Sequence, residues 1–154
     1  MAEFDFIRPT DKPALLALST PEFLASARAV LHEMDYKVHH ATDHEDYVNR
    51  FGQTHYHVTI LEEKFSCVAI EENLALMRFQ YLPMGLRRHA VSILIGDSFQ
   101  SLNTMQAFQQ SVHAVVHPND LASLKQILQQ VIADNDLFMS VYRDLQLKMA
   151  QGKV

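Results

Sequence analysis

The sequence is poor in residues that build covalent or metal-clamped scaffolds. Cys67 is the only cysteine in 154 residues, which excludes an internal disulfide and any cysteine-rich zinc site. Such a thiol reads as packed or incidental rather than as a nucleophile. There are four glycines, none paired into a phosphate loop. No apolar run is long enough to span a bilayer. The start, Met1-Ala2-Glu3-Phe4-Asp5, lacks the basic residues of a secretion signal. These absences make a cytoplasmic protein the expectation, with no membrane partner. Positive charge is scarce too: the formal net charge is −5. A nucleic-acid surface would need a local basic patch, and Arg87-Arg88-His89 with a scattered Lys/Arg set is thin support, so no nucleic-acid partner is expected.

What remains is an ordinary globular composition, 48% hydrophobic and 20% charged. The length suits one domain with enough core to fold without disulfides or metals. Apolar runs alternate with amphipathic stretches. Strands are predicted at 14–18, 37–41, 56–61, 90–95 and 114–116. Helix starts follow them at Ser19-Thr20-Pro21-Glu22, Thr42 or Asp43, Asn73, Ser101 or Asn103, and Asn119 or Asp120. The helical pattern from Asn73 to about Arg88 contains Pro83, which should bend it or end it early. Five strand-then-helix units predict an α/β fold, a parallel sheet with helices on both faces. The strands are short and nearly all apolar, as strands buried on both sides are. A dinucleotide site fails at the first turn, Leu18-Ser19-Thr20-Pro21-Glu22, which has no glycine to admit a pyrophosphate.

The order and spacing of these units resemble the receiver domain of bacterial two-component response regulators. The resemblance is carried by "LALSTPE", "YHVTILEE" and "VVHPNDLASL", in that order. It implies a flavodoxin-like (βα)5 fold with sheet order 2-1-3-4-5. It divides the chain into an N-terminal arm or linker (1–13), a receiver-like domain (14–134) and a C-terminal helical extension (135–154). Receivers hold a divalent metal with acidic residues after the first strand; the matching positions here are Ser19 and Thr20. The phosphoacceptor aspartate falls at Glu62, with Glu63 one residue off. The hydroxyl ending the fourth strand falls near Ile95-Gly96, and the phosphate-neutralising lysine falls at His117, ahead of Pro118. An imidazole is no substitute for a permanent cation on a longer stem. Four altered positions imply a degenerate pocket that cannot be phosphorylated by the usual route, hence no enzyme, no cofactor and a pseudo-receiver. The X-Pro turn, commonly cis in receivers, predicts a cis His117–Pro118 peptide.

A scaffold without its reaction works by contact, with a protein partner or with itself. Receivers signal through the face of the fourth helix, fifth strand and fifth helix. Here that face would draw on Met105, Gln106, Gln109, Gln110, Ala114 and the helix from Leu121. The extra helix from Asp136 to Met149 has an apolar side of Phe138, Val141, Tyr142 and Leu145. That side either packs back on its own domain, forms a homodimer interface, or acts as a lever to another domain. The segment "EEKFSCVAIEE", 62–72, keeps Phe65, Val68 and Ile70. It could cover the pocket, present a partner patch, or pack locally on the third helix.

Two rival chemistries arise. Nine histidines include "VHHATDHEDY", where His40, Asp43 and His44 could hold zinc or nickel, though they span a strand-to-helix boundary. His55 and His57 share a strand face. Ser19 or Thr20 with His117 and Glu62 makes a Ser-His-Glu set on paper. No oxyanion hole accompanies it, and the convergence follows from the fold whatever residues occupy it.

Overall fold

The apolar runs become five parallel strands in a computed structural model that describes residues 7–87 and 89–152. They are β1 (Pro13–Ala17), β2 (Lys37–His40), β3 (Val58–Glu62), β4 (Val91–Ile95) and β5 (Ala114–Val116), in the order β2-β1-β3-β4-β5. Every residue of β1, β3, β4 and β5 is buried, which is why these segments read as unbroken apolar runs. Alternate residues feed two cores. Leu16, Ile60, Ile93 and Val116 face α1 (Pro21–Glu33) and α6 (Leu124–Ala150). Leu15, Leu61, Leu94 and Val115 face the other way, with Tyr47, Phe79 and Ala107. Those three side chains come from α2 (His44–Gln53), α3 (Leu74–Tyr81) and α5 (Thr104–Gln110). This is the expected flavodoxin-like arrangement, with a long C-terminal helix.

Local chemistry sets the element ends. Asp43 and Asn103 each cap a helix, accepting the N–H of Asp46 and of Gln106. Pro83 ends the third helix early, as expected: α3 stops at Tyr81 and a one-turn α4, Met84–Arg87, restarts beyond the proline. Ser111 closes α5 in the left-handed region at φ 57°. The arm differs slightly from expectation, since Pro13 already belongs to β1. Residues 1–6 lie outside the described residues, and so does Arg88 of the basic patch.

Two expectations are corrected. The helices expected at 121–133 and 136–149 are one helix, α6, 27 residues long. Ala133-Asp134-Asn135-Asp136 begins with the strongest helix former, follows it with only moderately unfavourable residues and holds no glycine or proline, so nothing there stops propagation. Its start is displaced instead: Pro118–Ser123 forms a 3₁₀ turn first. The His117–Pro118 peptide is trans, and no cis bond occurs among the described residues. Pro118 opens the 3₁₀ turn directly behind an extended His117 at ψ 142°. That geometry continues the strand direction, so the ordinary trans preference of the X-Pro bond stands.

At the N-terminal edge of the sheet, His113 joins β4 to α6. Its Nδ1 accepts the Ser92 backbone N–H at 3.0 Å, and Nε2 lies 3.2 Å from Asn135 Oδ1. A nitrogen that accepts a backbone N–H is unprotonated, and burial pushes this imidazole below its ordinary value. His57 is lowered as well, by burial first and then by the Lys12 charge. When the folded value lies below the unfolded one, the unfolded chain binds the proton first. The stability from these groups is therefore present above about pH 6.5 and lost as the pH falls through the folded values. Urea midpoints should be lower at about pH 5.5 than at about pH 7.5, and the difference should shrink in His113→Gln. Equal midpoints for the unsubstituted chain would refute the assignment.

Candidate functional site

The strands end in register at one edge of the sheet. Ala17 pairs with Leu61, Glu62 with Ile95 and Ile95 with Val116. The β1–α1 loop therefore emerges beside Glu62, and Gly96 lies one residue past the end of β4. Between them is a cavity of about 150 Å³, lined by Thr20, Glu62, Glu63, Lys64, Gly96 and Pro118 among others.

Glu62 is buried, and its carboxylate is turned into the β1–α1 loop. Oε1 accepts the backbone N–H groups of Ser19 at 3.1 Å and Thr20 at 2.9 Å, and Thr20 Oγ1 donates to Oε2 at 3.1 Å. Thr20 is the N-cap of α1 but makes no side-chain cap of its own. Glu62 does that work from across the sheet, placing its carboxylate among N–H donors at the positive end of the helix. Ser19 ties the next layer on: its Oγ accepts the Ser66 N–H at 2.7 Å. Phe65 of the same loop is buried and packs edge-on to His44 at 5.2 Å. The 62–72 segment is thus stitched down by Phe65 and partly by Ile70, while Val68 stands exposed.

Glu63 is also buried and occupies the space above Gly96, where an added Cβ would collide with its side chain. Its Oε2 accepts weakly from the Ser98 N–H at 3.4 Å. The site thus brings Thr20, Glu62, Gly96 and Pro118 together around one cavity, with Ser19 behind it. The His117 imidazole is committed elsewhere, its Nδ1 accepting the Asn119 N–H at 3.0 Å. It caps the 3₁₀ turn, and Pro118 lines the cavity in its place. No Ser-His-Glu set forms from these residues, because Ser19 and Thr20 bond to Ser66 and Glu62.

Sequence reasoning missed Lys64 and read Asn73 only as a helix start. Lys64 brings a cation to the cavity from the loop after β3; its adjacency to Glu62-Glu63 was the available signal. Asn73 is fully buried and joins the β3 end to α3. Its Nδ2 donates to the carbonyls of Glu62 at 2.8 Å and Glu63 at 3.2 Å, and its Oδ1 accepts the Leu76 N–H.

The donor set does not suit a divalent cation. Ser19 and Thr20 point N–H and O–H groups at Glu62, the polarity opposite to a metal's demand for open oxygen lone pairs. Among the described residues no three His, Cys, Asp or Glu side chains converge on a metal position. The rival set separates as well. His40 Nε2 meets the Leu18 carbonyl at 3.0 Å, His44 Nδ1 accepts the Ala75 N–H at 3.0 Å, and Asp43 caps α2. Burial pushes the Cys67 thiol up, away from nucleophile behaviour.

On the surface, Met105 and Gln109 of α5 are exposed, as is Phe108 at 80%. Ala114, expected on that face, is buried in the core. Gln106 and Gln110 are held by Gln100 and Gln80. Along α6, Phe138, Val141, Tyr142 and Leu145 are all exposed, and Met139 is the buried residue of that half.

No protein-family model and no curated relative matches the chain. Solved structures do. A CheY-like response regulator receiver domain protein from Methanospirillum hungatei superposes with a TM-score of 0.62 at 16% identity, covering 82% of this chain and 98% of its own. The chain has the receiver fold. The receiver domain of a Pseudomonas aeruginosa sensor histidine kinase, solved with magnesium in its active-site cleft, gives 0.59 at 18% identity, covering 80% and 99%. A third match, a yeast Spc42 trimeric coiled coil fused to another protein, gives 0.58 at 14% identity and covers 94% of this chain and 92% of its own. The two receiver likenesses share the five-stranded architecture of this chain. No helix among the described residues is long and apolar enough to cross a membrane.

Proposed function

We propose that this receiver-fold chain is a pseudo-receiver, a signalling module that takes up no phosphoryl group by the receiver route and acts through protein contact. One observation carries this reading: both Glu62 oxygens are engaged by the donors of Ser19 and Thr20. A nucleophilic oxygen must leave those donors, and no carboxylate stands at positions 19 and 20 to recruit a metal that would steady the incoming phosphoryl group. Incubation with acetyl phosphate and magnesium, followed by intact-mass measurement, should show no added phosphoryl group. Stable incorporation at Glu62 or Glu63 overturns the reading.

The contact surface we assign is the exposed half of α6, and its partner is a second copy of the chain. Phe138, Val141 and Leu145 recur at three- and four-residue spacing and remain solvent-facing, a seam that two helices can share. Charge favours an antiparallel pair: Asp134 lies on the stripe's side at one end and Lys148 at the other. The fused coiled coil, trimeric in that protein and matched over more of this chain than the two receivers, supports a long helix as an assembly element, and the two-chain stoichiometry rests on the seam alone. In sedimentation velocity the intact chain should run as a dimer at tens of micromolar, and the double variant Val141→Asp/Leu145→Asp as a monomer. A monomer in both cases sinks self-association.

A further inference from the structure

The far end of the sheet from Glu62 carries a second cavity of a different character. It opens between the end of α2, the end of α3 and the turn of α4, with a volume of about 280 Å³, near the lower end of small-molecule sites. Its walls are aromatic. Phe51 stacks on Tyr47 and Tyr56 at interplanar angles of 19° and 24° and meets Phe79 edge-on at 86°. The Tyr47 hydroxyl is spent inside the core on Thr59 Oγ1, and the Tyr56 hydroxyl on His39 Nδ1. Both rings therefore contribute apolar surface to the cavity.

The polar lining is one-sided. Arg78, His55 and His89 line the cavity, and among the described residues no aspartate or glutamate does, in a chain whose formal net charge is −5. The two imidazoles lie 5.3 Å apart between ring centroids. The neighbouring Arg87 is used up on the carbonyls that end α3, donating to Gln80 O at 3.0 Å. Arg78, by contrast, is exposed and makes no ion pair or hydrogen bond among the described residues. At the mouth, Tyr81 and Leu86 stand 81% and 57% exposed, which is apolar area that an occupant would cover.

A slot walled by aromatic rings, with a free guanidinium and two imidazoles on it and no competing carboxylate, complements a flat apolar body with an anionic end. We propose that this cleft is a binding site for a small aromatic carboxylate, its ring against the wall that Phe51 and Phe79 form together and its carboxylate on Arg78. The site is separate from the Glu62 pocket, and the proposal is independent of whether that pocket accepts a phosphoryl group.

The probe is 2-naphthoate, titrated into the intact chain and followed by amide chemical shifts and by calorimetry. The uncharged 2-naphthalenemethanol serves as the ligand control, and Arg78→Glu as the protein control. Saturable sub-millimolar binding of 2-naphthoate is expected, with shifts centred on Gly52, Thr54 and Leu82 and none at Gly96. Both the alcohol and the Arg78→Glu chain should bind at least about tenfold more weakly. Arg78 is exposed, so the variant spectrum should otherwise overlay the original. The ligand control reads the same charge preference without any substitution. Absence of saturation with 2-naphthoate overturns the proposal. So does equal affinity for acid and alcohol, or a shift pattern centred away from the cleft.

Discussion

Glu62→Ala should lower the unfolding free energy by about 2–4 kcal/mol, from the loss of a charge-assisted acceptor and the stranding of its donors. The side chain holds three donors of the β1–α1 loop, the N–H groups of Ser19 and Thr20 and the Thr20 hydroxyl. Alanine leaves all three facing a cavity of about 150 Å³, where water can recover part of the loss. Glu62→Gln keeps the shape and one oxygen acceptor, so its cost should be nearer about 1 kcal/mol. Glu62→Asp is the sharper variant. It is one methylene short of the loop that Glu62 anchors, and should fall between the other two. Urea denaturation, with slope and midpoint fitted separately, measures all three. Losses under about 0.5 kcal/mol for all of them would mean the carboxylate does not anchor the loop. Against a typical total of about 5–15 kcal/mol, the alanine loss would be large.

The fold was legible because parallel strands buried on both faces announce themselves as apolar runs, and because Asp43, Asn73 and Asn103 sit where helices begin. Other features were not legible, for local reasons. Whether Ala133-Asp134-Asn135-Asp136 breaks a helix depends on balanced weak propensities, and the chain on both sides is helical enough to carry it through. His117 looked like a pocket residue because it ends a strand, but an imidazole two residues before a free N–H can cap its own turn, and it does. Register put Glu62 at the β3 end, yet which way its carboxylate points is decided by the Ser19 and Thr20 donors 43 and 42 residues away. No local pattern records a partnership that distant. The same holds for Glu63 over Gly96, where the missing side chain at one position is matched to a buried carboxylate at another.

These partnerships favour one conformation of the edge where receivers do their chemistry. Glu62 binds the β1–α1 loop, Ser19 binds Ser66 of the next loop, and Glu63 fills the space beside β4. Each is a contact internal to the chain at the C-terminal edge of the sheet. That gives the proposed contact role a physical basis: an edge held by its own bonds has little need of a phosphoryl group to order it.

The second large effect is expected at Asn73, which is fully buried and serves three backbone groups at once. Its oxygen caps α3 by accepting the Leu76 N–H, while its amide group donates to the carbonyls of Glu62 and Glu63 across the 62–72 segment. Asn73→Ala removes the cap, worth about 1 kcal/mol, and takes a donor from the Glu63 carbonyl and one of two donors from the Glu62 carbonyl, which keeps the Phe65 N–H, at about 1 kcal/mol each. The sum is a loss of about 3 kcal/mol. Asn73→Asp separates the two roles, because aspartate caps helices as well as asparagine does but has no N–H to give. It also turns a carboxylate toward carbonyl oxygens that an amide now satisfies, and a buried charge without partners is costly. If bridging dominates, Asn73→Asp should destabilise at least as much as Asn73→Ala in urea unfolding at about pH 7. If capping were all that mattered, the aspartate variant would stay within about 0.5 kcal/mol of the original chain, and the bridge would be refuted.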